Sequence, residues 1–254
     1  SQEQGIAALR AECPTDISAP ITVQGLGSRA VIQRNPLRIR YEDASGAAVL
    51  QQVANTLPSP YLPVNVPEPG AGNDMFPDQA LYSPFTFEVG GAVNVQFPAA
   101  PWQGNLLLAG SAGIQYAATN VTQVNCNGNT ATLTVATNDP TGRTLTLTLQ
   151  PDESGLQALQ VRATLTPSTG VVAIADSFDS GTDEEFFGFG GRHNALSQRG
   201  NTFPNWVMQE NFGAGPLQPG VDVIPGIGGE TYQFPNGATA AYYPQALFYS
   251  SRPY

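Results

Sequence analysis

Apolar and polar residues alternate with a period of two along most of this 254-residue chain, the pattern of β-strands that turn one face to a core and the other to water. In TATLTVAT, apolar Ala131, Leu133 and Val135 alternate with Thr130, Thr132 and Thr134, and in RTLTLTLQ the apolar set is Leu145, Leu147 and Leu149. Between them NDPTG, Asn138 to Gly142, breaks the ladder and closes a hairpin. PDESG, Pro151 to Gly155, leads into LQVRATLTP, where Leu159, Val161, Ala163 and Leu165 point one way. Three consecutive antiparallel strands are predicted. Earlier, Ile39 and Tyr41 alternate with Arg38 and Arg40 ahead of a DASG turn at Asp43 to Gly46. PFTFEVGG and AVNVQFP predict a further hairpin with Gly90 and Gly91 at its tip. Leu57 to Asp78 is crowded with proline and glycine. It reads as an irregular surface excursion from one domain spanning residues 1–254, with a linker between two small sandwiches as the weaker alternative. There is no internal repeat and no long amphipathic helix, so the fold class is all-β.

Composition narrows the partners. Charged residues make up 12% of the chain and all ten basic residues are arginine, against twenty acidic ones, for a formal charge of −10. A polyanion would be repelled and no basic run offers phosphate contacts, which excludes nucleic acid. No apolar run approaches the length of a membrane span. The start, SQEQGIAALRAECP, reads as a mature N-terminus after signal cleavage, as a trimmed chain would also give, and the expectation is a secreted or periplasmic protein. Cys13 and Cys126 are the only cysteines. They allow either a single disulfide or two buried thiols, and with one histidine they cannot build a zinc site. Asn120-Val121-Thr122 fits the glycosylation acceptor pattern.

Candidate chemistry gathers in FFGFGGRHNALSQRG, Phe186 to Gly200, which holds the lone histidine, His193. Its glycines precede no helix pattern and therefore do not make a phosphate loop. With neither a GxSxG serine nor a second histidine, His193 reads as a scaffold residue hydrogen-bonded at a strand end. Upstream, DSFDSGTDEE packs Asp176, Asp179, Asp183, Glu184 and Glu185 into ten residues. The oxygen count would suit calcium, but the spacing is not that of an EF-hand, and the reading is a solvated acidic turn with no metal.

FFGFGGRHNALSQRG, followed by NWVMQENFGAG at Asn205 to Gly215 and FPNGATAAYYPQALFYSSRPY at Phe234 to Tyr254, resembles the N-terminal β-sandwich domain of family 31 of the glycoside hydrolases. Gly188, Gly190 and Arg192 match a Phe/Tyr-Gly-x-Gly-Glu-Arg stretch of that family. Arg199 and Gly200 match its Arg-Gly pair, and Tyr243, Phe248, Tyr249 and Ser250 match its Tyr-x-x-x-x-Phe-Tyr-x-Ser strand. Gly191 stands where the family carries glutamate, so that carboxylate's contribution to loop packing is made differently here. PLRIRYEDASG, PFTFEVGG and PWQGNLLLAG are similar to the usual progress of the domain.

The resemblance implies a large antiparallel, galactose-mutarotase-like sandwich in front of a catalytic (β/α)8 barrel that would begin after residue 254. The activity implied is retaining hydrolysis of α-glucosidic bonds, without a cofactor, by two aspartates of the barrel about 5 Å apart. No catalytic residue is then expected in this chain. Its share of the work would be a wall of the substrate pocket, supplied by NWVMQENFGAG. There Trp206 would stack on a sugar face of an oligosaccharide or glycoside, and Gln209, Glu210 and Asn211 would bond its hydroxyls. Arg192 and Arg199 are expected to brace the loop through backbone carbonyls. The rival reading is a stand-alone carbohydrate-binding or structural sandwich. A mutarotase-like enzyme working within the sandwich would lack an acid and base pair.

Overall fold

The computed structural model describes residues 9–55, 64–65, 83–90, 92–96, 107–111, 113–152, 154, 158–192, 195–200 and 241–252. Among the described residues all regular structure is β and every pairing is antiparallel. A five-stranded sheet runs in sequence order through β1 (Arg10–Glu12), β2 (Ile21–Gln24), β3 (Ser28–Arg34), β4 (Leu37–Asp43) and β5 (Ala48–Gln51). Further strands are β6 (Val64–Asn65), β7 (Phe85–Val89), β8 (Ala92–Gln96), β9 (Leu107–Ser111), β10 (Ile114–Asn127), β11 (Thr130–Thr137), β12 (Thr144–Pro151), β13 (Leu159–Thr166) and β14 (Val171–Asp176). A seven-stranded sheet has the order β13-β12-β11-β10-β7-β14, with β6 paired to β10 off that path. The chain closes with β15 (Phe186–Arg192) and β16 (Ala241–Ser250), which form a separate two-stranded ribbon.

The alternation read from sequence is the packing. On β11 the buried residues are Ala131, Leu133 and Val135, on β12 they are Leu145, Leu147 and Leu149, and the threonines between them are part-exposed. Ile21, Val23, Ala30, Ile32, Leu37 and Ile39 of the five-stranded sheet share one core with them and with Phe85, Phe87 and Tyr116. Two antiparallel sheets thus bury their facing sides together, as in a β-sandwich. Each fully buried leucine or isoleucine contributes about 1.5–3 kcal/mol relative to exposure. Threonine suits the outer positions because its branched Cβ fits the pleat while its hydroxyl stays wet.

The three strands predicted from Thr130 to Thr166 pair as expected, through Leu133↔Leu147 and Leu147↔Ala163. Two expectations are corrected. Phe85–Val89 and Ala92–Gln96 do not form a hairpin. β7 lies between β10 and β14, whereas β8 pairs with β9. The left-handed Gly90 (φ 83°) at the end of β7 donates its N–H to Gly170 O at 2.9 Å. A glycine pair between two alternating runs suits a hairpin or a hand-over between sheets equally well. Here β7 takes an interior place in the large sheet, next to edge strand β14, and Phe85 and Phe87 are buried there. The proline-rich stretch from Leu57 to Asp78 is likewise not wholly irregular, since Val64 and Asn65 pair with Gln115 and Ile114.

Cys13 and Cys126 form a disulfide, with a Cα–Cα distance of 5.8 Å and a sequence separation of 113. It resolves the alternative left open by spacing and ties the residue after edge strand β1 to β10 in the other sheet. The Ala11 N–H reinforces the link by donating to Gly128 O at 2.9 Å. Closing a loop of this length removes about 4–5 kcal/mol of unfolded-state entropy in the chain-entropy account. The double substitution Cys13→Ser, Cys126→Ser is therefore expected to lower the unfolding free energy by about 2–5 kcal/mol in guanidinium melts. An unchanged midpoint would show that the bond constrains nothing the sheets do not already hold.

Candidate functional site

The resemblance segments meet in space. Phe186↔Ser250, Phe187↔Tyr249 and Gly188↔Phe248 are cross-strand partners, so the glycine-rich stretch and the Phe-Tyr-x-Ser strand lie side by side as the β15–β16 ribbon. Three successive residues, Gly188 (φ 104°), Phe189 (φ 63°) and Gly190 (φ 86°), adopt left-handed backbone, and the register shifts on either side of Gly190. Glycine is required at 188 because a Cβ there would sit 2.9 Å from Leu247 O. A phenylalanine at positive φ is strained. Its ring is held by stacking on Phe248 at 5.4 Å between centroids, and Phe186 meets Phe248 edge-on at 5.7 Å. Leu247, Phe248 and Tyr249 are all exposed, so both faces of β16 are open at this point.

The acidic segment is not a freely solvated turn. Glu184 is 2% exposed and accepts from the Ser250 hydroxyl at 2.6 Å and from the Gly181 N–H at 2.8 Å. Arg252 reaches Asp183 at 3.3 Å and Glu184 at 3.7 Å, lying across Gly181 where any Cβ would collide with its guanidinium. Glu185 accepts from the Ser197 hydroxyl, and Asp179 pairs with Arg38 at 2.7 Å. Arg199 donates to the backbone carbonyls Gly181 O at 2.7 Å and Glu184 O, in the acidic segment, while the loop it was expected to brace lies outside the described residues. The run of acids therefore fastens the ribbon to the sandwich. Among the described residues no three His, Cys, Asp or Glu side chains gather in a way that could hold a metal ion.

Asp176 stands apart from its neighbours. Its ladder partner on β7 is Phe85, which places it on the core-facing side of β14. There it meets the end of β5. Gln52, 0% exposed, accepts from the Ile39 N–H at 2.8 Å and donates from Nε2 to Asp176 Oδ1 at 2.8 Å, so one buried amide links the two sheets. Val53 N–H to Ser177 O, at 3.0 Å, and Asp179 N–H to Gln51 O, at 2.8 Å, close the same edge. Among the described residues Asp176 has no cationic partner. Desolvation pushes its carboxyl up to about 7, against the pull of hydrogen bonds from Gln52 and the Ser177 backbone. The residue nevertheless counts as exposed. Its strand, β14, lies at the edge of the larger sheet. Tyr41 has its phenol held above the ordinary value first by burial and then by the negative charge of Asp176, and its ring sits 6.5 Å from that of Phe178.

Of the residues nominated from sequence, Trp206, Gln209, Glu210, Asn211 and His193 lie outside the described residues. Gln52, Tyr41 and Phe178 were not singled out. The available signal was a glutamine pair, Gln51 and Gln52, at the end of an apolar strand, where one of the two must face the core. A scan against protein-family models finds no match to the chain, and searches of curated proteins and of solved structures find none either.

The Asp176 carboxyl supplies a pH test. Its folded-state pKa lies above the ordinary 3.8, so its contribution to stability is fully present below about 3.8 and is lost as pH rises through about 7. Asp176→Asn keeps an acceptor for Gln52 and removes the titration. Relative to the native chain, the variant should gain stability in urea melts between pH 4.5 and pH 8. A difference that stays flat over that interval would show that the carboxyl titrates normally.

Proposed function

We propose that the chain is the N-terminal domain of a secreted retaining α-glycosidase, with a fold of the galactose-mutarotase-like type and α-glucosidic bonds as the substrate class. The observation that carries this reading is the pairing of β15 with β16. Two segments separated by more than forty residues, each of which carries part of the resemblance, come together residue against residue. The antiparallel two-sheet architecture supports it. Gly191, in place of the family's glutamate, follows Gly190 on β15, and a carboxylate beside this ribbon is that of Glu184, bonded to Ser250.

Under this proposal the chain contributes no catalytic carboxylate. The two aspartates belong to a barrel elsewhere in the protein, one ionised as nucleophile and one protonated as acid. The segment Asn205 to Gly215 lines the mouth of that barrel. Gln209, Glu210 and Asn211 bond sugar hydroxyls there and Trp206 covers an apolar sugar face.

The test uses the protein purified from its source, with p-nitrophenyl α-glucoside as substrate and the anomer of the released glucose followed by NMR. The proposal expects hydrolysis with net retention. It also expects Glu210→Gln to raise KM about tenfold with a smaller change in kcat, since the residue contacts substrate and not the reacting atoms. A source protein that binds maltooligosaccharides without cleaving any glycoside would overturn the enzyme reading in favour of a carbohydrate-binding sandwich.

A further inference from the structure

We propose that the Cys13–Cys126 disulfide is a redox latch. While it is formed, β1 closes the seam between the two sheets; when a dithiol reduces it, β1 comes away and the sandwich stays folded. This goes beyond the glycosidase reading and does not rest on it.

Three observations converge. The first is the place of β1. The Ala11 N–H donates to Gly128 O, in the turn between β10 and β11, so the ladder bonds of β1 to β2 run through the pairs Arg10↔Gln24 and Glu12↔Thr22. One short strand thus touches the edge of the smaller sheet on one side and the larger sheet on the other. The second is how little besides the disulfide holds it. Arg10 and Glu12 are exposed and Ala11 is half-buried, so β1 adds little apolar burial. The Arg10–Glu12 ion pair, at 2.9 Å, lies within β1 itself and is open to water, so it fastens the strand to nothing. The Thr22 hydroxyl donates to Glu12 Oε2 at 3.3 Å, also at the surface. Ordering the strand costs backbone entropy that a few exposed hydrogen bonds do not offset. A covalent bond at the next residue does, by keeping β1 beside its partners. The third is the boundary of what can leave. Pro14 O accepts from Arg34 at 2.6 Å, and Asp16 closes a turn by accepting from the Ser18 N–H at 2.9 Å. Release therefore stops at Cys13. The core beneath, from Ile21 and Val23 to Leu147 and Leu149, takes no fully buried residue from β1.

Both cysteines are half-buried at the margin of that core, where a small thiolate can approach. A thiolate of the dithiol attacks one sulfur to give a mixed disulfide, and its second thiol then displaces the protein, so the dithiol leaves as a cyclic disulfide. Two electrons and two protons pass to the protein, which now carries two thiols. The sheet edge changes with them. Oxidised, it presents the charged residues Arg10 and Glu12; reduced, it presents the backbone N–H groups of Thr22 and Gln24 on an uncharged strand.

The experiment treats the whole chain with dithiothreitol without denaturant, counts thiols by iodoacetamide labelling and mass, and measures backbone order by nitrogen-15 relaxation. Two thiols are expected. Order parameters of Arg10, Ala11 and Glu12 should fall from about 0.85 to below about 0.6, while Ile32 and Leu133 keep their native chemical shifts and stay near about 0.85. Removing the dithiol and adding oxidised glutathione should restore the rigid strand. The double variant Cys13→Ser, Cys126→Ser should show the mobile strand with no reductant present, which separates release of β1 from any other effect of the dithiol. A bond that yields no thiols until the chain is denatured, a β1 that stays rigid in the reduced chain, or loss of the native shifts of Ile32 and Leu133 on reduction would each overturn the proposal. None of these outcomes depends on whether the protein hydrolyses glycosides.

Discussion

The structure depends on one constraint: alternate residues of two antiparallel sheets must be buried against each other at the same time. A strand with a period of two has one apolar face, and a single sheet leaves that face wet. Here Ile21, Ile32 and Ile39 on one side and Leu133, Leu147 and Leu149 on the other are removed from water together. A slip of one residue in any central strand would turn its whole apolar set outward. Every other feature is arranged at the margins of this layer.

Polar groups that enter the layer do so with partners. Glu42 is 1% exposed, and burial alone would lift its carboxyl, but hydrogen bonds and charge from Arg29 and Arg40 outweigh that and hold it below its ordinary value. Asp139 and Arg143 are buried together, and Arg143 also donates to Pro167 O at 3.1 Å and Thr169 O at 2.6 Å, joining the β11–β12 and β13–β14 turns. Gln52 crosses from one sheet to the other. At β14, an edge strand of the larger sheet, Ile174 is exposed and Asp176 is held by that buried amide. Beyond it the β15–β16 ribbon stands on hydrogen bonds from the acidic segment, with strain at Phe189 balanced by its stacking on Phe248.

Local pattern made the central strands legible, because Ala131 to Val135 and Leu145 to Leu149 carry unbroken alternation and an unambiguous turn between them. Pairing over longer distances was not legible. The same glycines that suggested a hairpin after Val89 serve a strand that joins β10 and β14 instead, and nothing in the local residues distinguishes the two. The acidic segment read as solvated because carboxylates crowd it, yet its partners Arg38, Ser250 and Arg252 lie far along the chain. The link between Gln52 and Asp176 was hidden for the same reason, since the two are 124 residues apart. The cysteines were visible as a pair, and only their 5.8 Å separation in the fold decides that they are joined.

Native-state hydrogen exchange tests the central claim most directly, because it separates the layer from what is attached to it. The account predicts that the amides of Ile32, Leu133 and Leu147 exchange only through global unfolding, while those of Gly188 and Phe248 in the ribbon exchange through a smaller opening of lower free energy. Ribbon and core amides that exchange together, with one free energy and one dependence on denaturant, would contradict it and make the ribbon part of the folding unit.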